Sequence, residues 1–337
     1  MKHVNEFIDG DHGTYVLLIS QLSKGVTAKG SPYLSLTLQD KTGVIEGKLW
    51  SARPDQLANY KPGMILEFEG EVLSHNKQLQ MRVNDCRILD RSKFDIRDFV
   101  REGDISRAEL KRQISEKIDS IENPKLHLLI SKVMEHFEKD FYAYPAAAKN
   151  HHDFVGGLAT HVLGMLRVAD ALCAIYPMLD RDLLVSGVIA HDIGKCIELS
   201  GPVITEYTMP GKLLGHISIM QTIVDETAKA NNIEGEEVIL LRHMILSHHG
   251  EYEFGSPVLP MIPEAEILHY IDNIDARMNS LTKALDGVTE GEFTPRIFAL
   301  ENRSFYKAKK NERIMQEWFK PFLFQILISI GTEQLAF

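Results

Sequence analysis

Residues 187–196 read GVIAHDIGKC. An apolar run, patterned as a helix, ends there in a histidine, an aspartate, a glycine turn and a lysine. Polar side chains at the end of a buried segment need partners, because they give up water and must be compensated. Those partners are either other side chains or metal ions. Neighbouring segments carry similar residues. His161 lies in GGLATHVLGML among Leu158, Val162, Met165 and Leu166, and His216 follows Gly215 at a helix start. His248 and His249 precede Gly250, and Asp272 sits on a helix with Asp275 one turn later. Each has a plain structural reading taken alone: a hydrogen-bonded core histidine, a helix-end residue, a histidine favouring a helix dipole, or two acids on a solvated face. Taken together, five helical segments each bring a histidine or aspartate to an apolar stretch or a helix end. Neutral imidazole and carboxylate suit zinc, iron, manganese or cobalt. A helical bundle aims such side chains inward at one point. Two ions need a shared carboxylate, and Asp192 is placed to be shared, leaving His191 to a single ion.

The charge distribution agrees with a cation site. The chain has 337 residues and a formal net charge of -10. Residues 151–285 hold 8 basic and 18 acidic side chains, which accounts for the whole excess, and 9 of the 14 histidines fall between His151 and Asp272. An acidic solvated surface is the plain reading; divalent cations offsetting that charge is the functional one. A composition of 44% hydrophobic and 25% charged residues is that of a globular protein with a full core. No apolar run is expected to approach the roughly 18 residues of a membrane span. The start, MKHVNEFIDGDHG, lacks the layout of a signal peptide. Cys86, Cys173 and Cys196 form no CxxC, so a reduced, cytoplasmic protein without structural disulfides is expected.

Residues 14–90 follow a different period. Leu34, Leu36 and Leu38 share one face; Ile45 and Leu49 oppose Val44, Glu46, Lys48 and Trp50; Met64, Leu66, Phe68 and Val72 oppose Glu67, Glu69 and Glu71. Alternation broken by turns predicts about five antiparallel strands, and a small OB-like barrel. Trp50 and Tyr33 then face outward near Lys48, as on a single-stranded nucleic-acid platform; the alternative is that Trp50 caps the barrel core. From about residue 95 the period becomes helical. The expected architecture is an antiparallel β-barrel over 1–90, a helical linker region over 91–145, and an all-α domain with C-terminal helices over 146–337.

The order His161, His191-Asp192, Asp272 resembles the HD superfamily of metal-dependent phosphohydrolases, with His216 and His248 matching the added histidines of its two-metal members. More narrowly, HHDFVGGLATH, IAHDIGK, GHI, LSHHGEYEFGSP and HYIDNIDARM resemble the YhaM family of 3′–5′ exoribonucleases, which joins an N-terminal OB domain to an HD domain. The resemblance implies one ion held by His161, His191, Asp192 and Asp272, and a second by Asp192, His216 and His248. His249 either supports this set or replaces His248. Two divalent ions are implied, manganese foremost, with cobalt, iron or zinc as alternatives. The implied reaction releases nucleoside 5′-monophosphates from the 3′ end of single-stranded RNA, and single-stranded DNA is a further substrate to consider.

Asp192 is then central to catalysis. Lys195, three residues on, falls on the same side if helical geometry persists, where it contacts the phosphate or leaving oxygen; the alternative is a surface lysine. His151 and His152 belong to the resembling motif and are expected near substrate, whereas Asp153 either joins them or caps the following helix. His243 is expected to be structural. The segment NRSFYKAKKNER, residues 302–313, reads as a basic solvated helix or as an RNA guide. The apolar stretch WFKPFLFQILISI, residues 318–330, suits packing within the chain or between copies of a homo-oligomer. The rival functions are a nucleotide or cyclic-dinucleotide phosphodiesterase of the HD type, against which the barrel argues, and a non-catalytic nucleic-acid-binding regulator.

Overall fold

The computed structural model describes residues 2–75, 78–100, 103–146, 154–203 and 205–309. His151, His152 and Asp153 lie outside the described residues, as does the apolar stretch at 318–330. The chain divides into two compact units, residues 1–276 and 277–337.

The first unit begins with five strands: β1 (His12–Val26), β2 (Pro32–Asp40), β3 (Gly43–Trp50), β4 (Ile65–His75) and β5 (Gln78–Ile88). They close into a barrel in the order β1-β2-β3-β5-β4, with β3 and β5 parallel and the other pairs antiparallel. This is the OB barrel, and the alternation produces it directly. Leu34, Leu36, Leu38, Ile45, Leu49, Leu66, Phe68 and Val72 all point into one core. Two features go beyond the alternation. A six-residue helix, α1 (Pro54–Asn59), joins β3 to β4. Ile65 and Leu18, on the outer side of the barrel, are also buried, under Phe99.

Helices then follow: α2 (Arg107–Asp119), α3 (Pro124–Phe141), α4 (Gly157–Ile175), α5 (Arg181–Ala190), α6 (Lys195–Glu198), α7 (Met209–Ala230), α8 (Glu236–Ser247) and α9 (Pro263–Asp286). The segment expected to link the two parts supplies α2 and α3, whose Leu110, Ile114, Leu129, Ile130 and Val133 share one core with α4 to α9. Helix α5 sits at its centre. Every residue from Leu183 to Ala190 is buried, as a helix apolar all round must be. Asp180 caps it by accepting from the Leu183 amide at 3.0 Å. Helix α4 is capped at Gly156, which is left-handed at φ 78. By length and composition α4 could cross a membrane, which corrects the expectation that no stretch qualifies. Leu158, Val162, Met165 and Leu166 on it lie in the helical core, and that burial accounts for its apolarity.

The second unit takes in the end of α9 and the bridges Phe293↔Tyr306 and Ile297↔Arg303. Residues 302–309 are therefore extended or turning, where a basic helix was expected. Residues 310–313 of that segment lie outside the described residues.

Within the barrel, β4 and β5 shift register between Glu69 and Gly70. A Cβ on Gly70 would stand 2.6 Å from the Arg82 carbonyl oxygen across the bulge. Gly70→Ala is expected to lower stability by about 1–3 kcal/mol, read as a lower urea midpoint. An unchanged midpoint would contradict the close approach.

Candidate functional site

The end of α5 turns His191 and Asp192 into the centre of the helical core, where both are buried. Helix α4 brings His161, α7 brings His216, the end of α8 brings His248 and His249, and α9 brings Asp272. Asp192 organises them through its two oxygens. Oδ1 lies 3.4 Å from His216 Nε2 and 3.7 Å from His248 Nε2. Oδ2 lies 3.3 Å from His191 Nε2, 3.9 Å from His161 Nε2 and 2.6 Å from Lys195 Nζ. His161 Nε2 is also 3.2 Å from Asp272 Oδ1. One carboxylate thus faces two sets of donors, one on each oxygen. Potential ligand atoms of His161, His191 and Asp192 lie within 4.8 Å of one another, as do those of His216, His248 and His249. His248 and His249, between which the sequence does not choose, both reach the same cluster.

Each imidazole is held by its other nitrogen. His191 Nδ1 pairs with the Val188 carbonyl at 2.9 Å and His248 Nδ1 with the Ile245 carbonyl at 2.8 Å. His249 Nδ1 pairs with the Phe254 carbonyl at 2.7 Å. His216 Nδ1 lies 3.1 Å from Glu198 Oε1, and its backbone N–H donates to the same oxygen at 3.0 Å. His161 Nδ1 lies 2.7 Å from Asp275 Oδ2. A carbonyl or carboxylate on Nδ1 puts that nitrogen's proton outward and leaves the Nε2 lone pair free to ligate. Among the described residues, Nε2 of His191, His216 and His248 and Oδ1 of Asp192 are buried without a hydrogen-bond partner. Four such atoms around one point would be costly in a site braced only by hydrogen bonds. They fit a divalent cation, with its nitrogen and oxygen preferences.

The electrostatics agree. Burial opposes ionisation of Asp192, but Lys195 and His191 outweigh it and hold the carboxyl well below the usual range. Burial likewise opposes Asp272, and His161 overcomes it, so its pKa is lowered. His248 is pushed well below its usual value by burial and by His249 and His191 beside it. His249 is lowered by burial and His216. Carboxylates ionised and imidazoles neutral are the protonation states that bind metal. His161 differs from His248 and His249: burial pulls it down, but Asp272 and Asp275 raise it to about 9.

Lys195 is 13% exposed and bonded to Asp192, so it is no surface lysine. His243 is structural, as expected: its Nε2 accepts from the Met261 amide at 2.9 Å. Two groups escaped the sequence reading. Asp275, expected on a solvated face, orients His161, and Glu198 orients His216. Close packing makes both possible. A Cβ on Gly164 would stand 2.5 Å from Asp275 Oδ1, so only glycine on α4 leaves room for that carboxylate. Gly215, at φ 71 and ψ 153, breaks α7 and lets His216 start a new helical run facing the site.

On the barrel, Tyr33 pairs with Trp50 and Ser35 with Lys48 across β2 and β3. The Tyr33 and Trp50 rings stand 5.0 Å apart. Trp50 is 49% exposed, so it does not close the barrel end. Lys48 Nζ donates to Ser35 Oγ at 2.6 Å, which holds the cation on the same face.

Sequence comparison matches residues 158–277 to the HD domain family and residues 19–89 to the OB-fold nucleic acid binding domain family. Fold and site together define a phosphohydrolase-type HD domain carried behind an OB barrel. The 3′-5′ exoribonuclease YhaM of Geobacillus sp. (strain WCH70) is 46% identical over 317 residues, covering 94% of this chain and 98% of that relative. The chain belongs to the YhaM family of 3′-5′ exoribonucleases. Among solved structures, the second OB-fold domain of replication protein A from Methanococcus maripaludis is 26% identical over 26% of this chain and 94% of its own, with a TM-score of 0.23. The mitochondrial single-stranded DNA binding protein Rim1 of S. cerevisiae is 14% identical over 25% of this chain and 97% of its own, with a TM-score of 0.22.

Asp275→Ala removes the anchor of His161, and Gly164→Ala displaces it. Each is expected to weaken divalent-cation binding by about 10–100-fold in calorimetry, with the helical circular dichroism unchanged. Wild-type affinity in both variants would rule out this support for the site.

Proposed function

We propose that the protein is a metal-dependent 3′–5′ exoribonuclease that shortens single-stranded RNA to nucleoside 5′-monophosphates, with single-stranded DNA as a secondary substrate. The observation that carries this reading is the divided carboxylate of Asp192, each oxygen facing its own set of imidazoles. His161, His191, Asp192 and Asp272 would hold one ion. Asp192, His216 and His248 would hold the other, with His249 in reach of it. Manganese suits this donor set, and cobalt, iron and zinc are the alternatives. Two bound cations supply charge neutralisation at the phosphate oxygens and make water a better nucleophile at neutral pH.

The chain's own groups divide the remaining work. Water attacks the terminal phosphorus, and the bond to the 3′ oxygen of the preceding nucleotide breaks. Lys195 Nζ, held charged beside Asp192, stands where it meets a non-bridging phosphate oxygen or the leaving 3′ oxygen. The packed histidines, four of them buried, keep bulk water from the reacting groups. Tyr33 and Trp50 on the barrel stack bases while Lys48 follows the phosphates, so the barrel retains a strand that the helical domain shortens. Family membership supports the assignment, as does the pairing of a strand-binding fold with a phosphohydrolase fold. A mononucleotide phosphodiesterase would have no use for the barrel.

The test is a 5′-labelled RNA that should shorten stepwise in manganese and stay intact in chelator. Asp192→Ala should abolish shortening without unfolding the chain; surviving activity would remove the centre from the reaction. Replacing Tyr33 and Trp50 by alanine should raise KM for long RNA roughly tenfold, with kcat for short oligomers little changed.

A further inference from the structure

The short loop after α8 carries exposed aromatic side chains beside the metal-type cluster. Tyr252 is 61% and Phe254 64% exposed. The loop is not loosely attached. The Phe254 carbonyl accepts from His249 Nδ1 at 2.7 Å, the Phe254 amide donates to the Glu251 carbonyl at 3.2 Å, and the Gly255 amide donates to the Tyr252 carbonyl at 3.0 Å. Phe254 is therefore one hydrogen bond from a ring that sits 5.2 Å from the His216 ring. Leu213 and Leu214, which directly precede Gly215 and His216 in sequence, are also exposed.

Large exposed apolar groups clustered beside a polar centre mark a contact surface. The loop's charge says which part of a strand it meets. The carboxylates of Glu251 and Glu253, which flank Tyr252 in sequence and are exposed, repel phosphate. A neutral, flat group is the complement, and a nucleobase stacks on an aromatic ring whatever its identity.

We infer that Tyr252 and Phe254 stack on the 3′-terminal base of the strand and so set its scissile phosphate over the centre. This rests on the exonuclease reading and deepens it. The stacking is indifferent to base identity and depends on a base being present. It also explains why His249 is tied to the loop: the bond that orients the imidazole fixes the stacking platform.

The test compares two RNA oligomers that differ only in whether the 3′-terminal nucleotide carries a base or is abasic. The full-length wild-type protein in manganese should favour the base-bearing oligomer by about tenfold or more in kcat/KM. Tyr252→Ala combined with Phe254→Ala should bring that ratio near one, and Phe254→Tyr should retain it. Wild-type shortening without preference, or a ratio unchanged in the double variant, would overturn the inference while leaving the nuclease reading standing. Failure of the wild type to shorten either oligomer would overturn both.

Discussion

The carboxylate of Asp192 is the constraint around which the helical domain is arranged. It is buried and ionised, and its two oxygens look in different directions: Oδ1 toward His216 and His248, Oδ2 toward His191, His161 and Lys195. Lys195 offsets part of the cost on the Oδ2 side. Oδ1 has no hydrogen-bond partner among the described residues. A fold tolerates a buried charge with an unsatisfied oxygen only where something else compensates it. Two cations sharing that carboxylate would compensate both oxygens at once.

The rest of the domain serves to hold that geometry. Helix α5 is buried on every side and so presents His191 and Asp192 at one fixed place. The histidines around them are pinned through Nδ1, two by carbonyls of their own helices, one by the loop carbonyl of Phe254, and two by the carboxylates of Glu198 and Asp275. The pinning fixes each ring's orientation and turns its other nitrogen inward, where a lone pair on it can ligate. The same bonds join the centre to its surroundings. Through His249 the cluster is coupled to an exposed aromatic loop, and through Asp192 to the cation of Lys195.

Much of this arrangement could be read in the residues themselves. Period-two alternation in residues 33–50 and 64–72 marks inward faces, and those side chains fill the barrel. The histidines and acids at apolar helix ends converge as their chemistry suggested. What escaped was what depends on packing between elements. Asp275 is one turn from Asp272 and shares its face, but nothing local says that α4 lies against that face with a glycine opposite. Glu198 closes a four-residue helix too short to show a period, and α1 is hidden for the same reason. His248 and His249 are adjacent, and their sequence does not choose between them. The helix ends at Ser247, and both rings turn into the site. Residues 302–309 have the composition of a solvated helix, yet bridges from Phe293 and Ile297 hold them extended.

The central claim is that one buried carboxylate is shared by two cations. Electron paramagnetic resonance of the manganese-loaded, full-length protein tests it most directly. A shared carboxylate should give two ions per chain with the exchange-coupled spectrum of a pair about 3.5–4 Å apart, collapsing to at most one uncoupled ion in Asp192→Asn. Two magnetically independent ions, or a coupled pair that survives that substitution, would contradict it.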